Sequence, residues 1–71
     1  MKLYAPHELR VIDEQKELQI KLDALSKFID SENFVKIVPD HDDQYNLIDQ
    51  ETHMMRYNRV LLKRINKFKG E

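Results

Sequence analysis

The residues best suited to chemistry lie in the segment RYNRVLLKR, residues 56–64. Arg59, Lys63 and Lys67 are spaced i, i+4, i+8, so on a helix they form one row of cations. Arg56 lies about one turn before Arg59, and Tyr57 sets an aromatic ring beside the guanidinium groups. A guanidinium can fork onto a phosphate, and a tyrosine ring can stack on a base. The chemistry implied is recognition of an anionic, nucleotide-like ligand. The competing reading is a solvated helix face with one half-buried tyrosine. Lys2, Tyr4 and Arg10 form a second basic–aromatic group near the N-terminus.

Other chemistries find little support. The 71-residue chain has no cysteine, which excludes disulfides, thiolate zinc sites and cysteine nucleophiles. Its one glycine excludes a Gly-rich phosphate loop. His41 and His53 are separated by more than three helical turns, so they cannot share a metal on one helix. The carboxylate pairs Asp13–Glu14 and Asp42–Asp43 lack any cleft that would tune a pKa for acid–base work. Ser26 and Ser31 have no histidine nearby in sequence. The expectation is a non-enzymatic protein without metal or cofactor. The N-terminus MKLYAPHELR lacks the apolar core of a signal peptide, and no apolar run approaches membrane-spanning length. A soluble protein of the cytoplasm is expected.

The formal net charge of −1 hides a polarity along the chain. Residues 1–51 hold twelve acidic and six basic side chains, whereas residues 52–70 hold six basic ones and no acid. Helix electrostatics explains part of this, because acids favour a helix start and bases its end. An anion-binding end is the sharper explanation. Duplex DNA is a poor match for a chain with a pI near 6.3.

These side chains need elements to hold them. Pro6 suits the first turn of a helix. Val11, Gln15, Leu18, Leu22, Leu25 and Ile29 then alternate by four and three, which predicts an amphipathic helix over residues 6–29. Residues 30–40 form the connection, with a short helical turn near residues 31–36 and Phe34, Ile37 and Val38 as apolar plugs. Asp40 is a candidate N-cap, with Asp43 three residues on. A second helix over residues 41–68 carries the stripe Leu47, Glu51, Met54, Asn58, Leu61, Ile65 and Phe68. Ile48, Met55 and Leu62 flank that stripe at seven-residue spacing. The polar interruptions Glu51 and Asn58 suit register control at some cost in stability.

Two stripes of matching length predict an all-α antiparallel two-helix hairpin, with residues 1–71 as a single domain. Folding back would bring Tyr4 and Arg10 beside the basic end of the second helix. Leu9 and Ile20 fall opposite Leu18, with Ile12 on one flank. One partner helix cannot cover both faces, so Leu9, Ile12 and Ile20 are expected to form the interface of a small homo-oligomer.

The chain resembles a family of very small tailed-phage helical proteins, related to those of crAss-like phages. The pattern runs HELRVIDEQKELQIKLDALSKFI over residues 7–29, then DDQYNLIDQ over 42–50, the Met54 and Tyr57 pair, and LLKRI over 61–65. In size and shape it is also similar to phage helical-hairpin sponges, which sequester the cyclic nucleotide signals of CBASS or Thoeris immunity. It lacks the G-Y-R start and the downstream I-K element of those sponges, so their ligand residues cannot be transferred to it. The resemblance implies a counter-defence protein of the host-cell cytoplasm, binding a cyclic oligonucleotide or related signal in pockets between protomers. The candidate ligand residues are Tyr4, Arg10, Arg56, Tyr57, Arg59 and Lys63. Two alternatives remain open: an inhibitor that docks on a host defence protein or enzyme, and a structural coiled-coil component of a phage particle.

Overall fold

A computed structural model describes residues 3–68. Three helices follow in chain order: α1 over Pro6–Asp30, α2 over Phe34–Ile37 and α3 over His41–Phe68. Local chemistry sets their ends. Pro6 opens α1, and the Glu8 carboxylate accepts the Ala5 N–H at 2.8 Å, which satisfies a donor the helix itself leaves free. Ser31 closes α1, its N–H and hydroxyl both donating to the Phe28 carbonyl. Asp40 caps α3, its Oδ1 accepting from the Asp42 N–H at 2.8 Å and the Asp43 N–H at 3.3 Å. Gln44 ties this start to the connection by donating to the Val38 carbonyl at 2.7 Å.

The two long helices pack antiparallel. Val11, Leu18, Leu61 and Ile65 form the core, with Ile12, Met54 and Phe68 packed against it. Leu61 is the most deeply buried, at 1% exposure. The sequence stripes place these residues on facing sides because both repeat close to the helical period. At the turn, Phe34 is buried and meets Phe28 edge-on, with ring centroids 5.4 Å apart. Here the structure corrects one expectation. Phe34 is a plug and Val38 is half-buried, but Ile37 is 64% exposed. A single turn of helix has room for one side chain against Phe28, and the larger ring takes it.

The resulting rod measures 48 × 18 × 16 Å, with a radius of gyration of 15.7 Å. A compact chain of this length would have a radius near 11 Å. The hairpin therefore has a seam between two helices and no thicker interior. Large apolar side chains remain in water, among them Leu9, Ile20, Ile48, Met55 and Leu62. Among the described residues, no helix is long and apolar enough to cross a membrane.

Candidate functional site

The middle of the seam is polar. Asn58, on α3, is 7% exposed and faces Gln15 and Gln19 of α1. Gln15 Nε2 donates to Asn58 Oδ1 at 3.1 Å, and Asn58 Nδ2 donates to Gln19 Oε1 at 2.8 Å. Gln15 also reaches Gln19 at 3.3 Å, and Gln19 continues outward to Asp23 at 2.9 Å. Two of the three polar interruptions in the stripes, Gln15 and Asn58, are thus bonded to each other. Each side-chain amide offers both donors and acceptors, so the three amides link the helices, and the set ends on the exposed Asp23 carboxylate.

Beside this layer lies a shallow groove of about 250 Å³, lined by Leu22, Met55, Asn58, Arg59 and Leu62. Its floor is aliphatic. Arg59 stands on its rim as the cation. The groove could take the flat face of a ring on Leu22, Met55 and Leu62 while Arg59 meets an attached phosphate. It is wide open to solvent, because one hairpin has no third wall.

The remaining sequence candidates spread around and along the rod. Arg10, Arg56, Tyr57, Arg59 and Lys63 are all exposed, and Tyr4 is half-buried. At about 100° per residue, Arg56 and Lys63 project from the side of α3 opposite Leu61 and Ile65. Tyr57 lies on the flank away from Met55, Arg59 and Leu62. The bonds from Asn58 to Gln15 and Gln19 set residue 58 level with the α1 turn between them. Lys63 is then level with Ile12 and close in height to Arg10. Arg56 is level with Gln19, about 14 Å along the axis from Arg10. Arg10 and Lys63 are therefore close in height, whereas Arg56 and Tyr57 lie further along the rod from Arg10.

The apolar candidates also divide. Ile12 packs on the hairpin's own core, whereas Leu9 and Ile20 stand on the outer face of α1, Ile20 at 70% exposure. His53 pairs with Asp49 one turn earlier, Nε2 to Oδ2 at 3.4 Å. Among the described residues, no lysine or arginine is ion-paired within the hairpin, and no three His, Asp or Glu side chains are placed to hold a metal. The cations of α3 are thus presented to solvent. Sequence reasoning did not single out the groove. Its signal was present in Ile48, Met55 and Leu62, but Leu22 reads only as core until the register is known.

Fold and site together define a small helical hairpin with an elongated seam, a solvent-facing cationic helix half and an open aliphatic groove. The chain belongs to the Sequestin family, whose model matches residues 5–67. The family's name denotes sequestration, in keeping with a role that holds a ligand. No curated protein and no solved structure matches the chain.

Proposed function

We propose that this protein is a non-enzymatic phage counter-defence factor that captures an anionic nucleotide immune signal of the infected cell's cytoplasm. The signal class is a cyclic oligonucleotide or a related cyclic nucleotide. The observation that carries the reading is the second half of α3, where exposed, unpaired cations border an aliphatic groove in a member of the Sequestin family. Arg59 meets a phosphate at the groove rim, Arg56 and Lys63 supply field from the adjoining face, and a base lies on the aliphatic floor. Tyr57, Tyr4 and Arg10 lie outside the groove, so their part in binding requires a second protomer. Pockets between protomers supply the wall that one hairpin lacks.

Calorimetry against a panel of cyclic dinucleotides, cyclic trinucleotides and cyclic ADP-ribose isomers tests this reading. Binding by at least one of them is expected, with stoichiometry set by the protomer interface. Arg59→Ala should weaken it at least tenfold, since a charge-assisted contact to phosphate contributes about 1.5–3 kcal/mol. Absence of heat with every member of the panel would remove the proposal. The rival reading, a docking inhibitor of a host defence protein, is favoured by the exposed Leu9 and Ile20 on α1. A stoichiometric host protein recovered with the chain, together with no nucleotide binding, would select it.

A further inference from the structure

The exposed flank of α3 carries a pattern that neither the hairpin seam nor the cationic row accounts for. Ile48, Met55 and Leu62 repeat every seven residues and are 44%, 54% and 43% exposed. On α1, Leu22 alone lines the same groove, and it is buried beneath it. The exposed apolar part of this face therefore belongs to α3, from Ile48 to Leu62.

Charge adds a direction. Residues 41–51 hold four acids and no Lys or Arg, and residues 56–67 hold five Lys or Arg and no acid. The helix macrodipole favours such a split only in the first and last turns. It explains Asp42, Asp43 and Lys67. It does not explain Asp49, Glu51, Arg56 or Arg59, which lie well inside the helix. Nor is the asymmetry matched by internal pairing, since none of these cations is ion-paired within the hairpin. Two copies of α3 side by side and antiparallel would set each acidic half against the other's basic half. A parallel pair would oppose like charges along its whole length.

We propose that a second copy of this chain packs on the Ile48, Met55 and Leu62 flank, with the two α3 helices antiparallel about a two-fold axis near Met55. The contact is isologous, as a two-fold requires, and places each copy's groove against the other. Its core is aliphatic and its rims are complementary in charge. Leu9 and Ile20 stay outside it. The proposal bears on the proposed function, because it gives Met55 and Leu62 to the second copy and leaves Leu22, Asn58 and Arg59 at the edge of the contact for the ligand. It is tested without nucleotide, so the two stand or fall separately.

Sedimentation of the full chain should show a dimer or a larger even assembly. Leu62→Glu and Met55→Lys should each yield a monomer that keeps its helical circular dichroism, and Ile20→Glu should leave the assembly intact. A nitroxide on Lys67→Cys reads direction: antiparallel copies hold the labels more than about 30 Å apart, and parallel ones within about 20 Å. A wild-type monomer at the highest soluble concentration would overturn the proposal. So would dissociation by Ile20→Glu but by neither α3 variant, or a short label distance. An assembly that behaves as described but binds no nucleotide would sink the proposed ligand and leave the interface standing.

Discussion

Asn58 is the residue on which the register of the hairpin turns. Its carboxamide is buried and bonded to Gln15 and Gln19, so the helices meet at one height rather than sliding along uniform aliphatic stripes. Truncation would remove both hydrogen bonds that cross from α3 to α1, Gln15 to Asn58 and Asn58 to Gln19. Asn58→Ala is expected to cost about 1–3 kcal/mol in urea unfolding. Replacing the whole layer, Gln15→Leu and Gln19→Leu with Asn58→Leu, should recover most of that loss, because no amide of the layer is then left unmet. A triple variant as unstable as Asn58→Ala would show that the three amides are not a matched set. Gln15 and Asn58 are visible in the sequence as breaks in the stripes. That they bond to each other is not, because the pairing depends on a register set by the connection. The same gap explains the candidate ligand residues. Arg56, Tyr57 and Arg59 are neighbours in sequence, yet helical rotation sends Arg59 to the groove rim and Tyr57 to the other flank.

The two long helices follow directly from period and caps. Pro6, Glu8 and Asp40 each act in the way their residue type suggests, and the apolar spacing selects the packed faces. Asp40→Ala should cost about 1 kcal/mol by removing the acceptor for two backbone N–H groups of α3. Leu61→Ala is more severe. It removes the most buried side chain, and about 2–5 kcal/mol of loss is expected. Set against the roughly 5–15 kcal/mol that folded domains hold in total, thermal melting of this variant should be greatly lowered or absent. A melting temperature within a few degrees of wild type would contradict the placement of the core. The connection was less legible. Phe34, Ile37 and Val38 are all apolar, and only the edge-on contact with Phe28 decides which of them turns inward.

At the scale of the molecule, elongation and charge polarity govern behaviour. A rod 18 × 16 Å in section buries one seam and leaves its other faces wet. Among the described residues, the Lys and Arg side chains of α3 are exposed and unpaired within the hairpin. Electrostatic capture at such a surface weakens as salt shortens the screening length from about 10 Å at 0.1 M to 3 Å at 1 M. Nucleotide affinity should therefore fall steadily with added salt, while the helical signal of the free protein stays unchanged. Affinity that is indifferent to salt would mean that the α3 cations are not the binding surface.

The central claim is that the protein holds its signal rather than transforming it. The direct measurement is capture followed by release: load the protein with its bound nucleotide, remove free ligand, unfold the protein by heat, and assay what emerges. The account predicts the original nucleotide, chemically intact, in an amount equal to the binding stoichiometry and fully able to activate its effector. Recovery of a cleaved or altered product, or of no nucleotide at all, would contradict it.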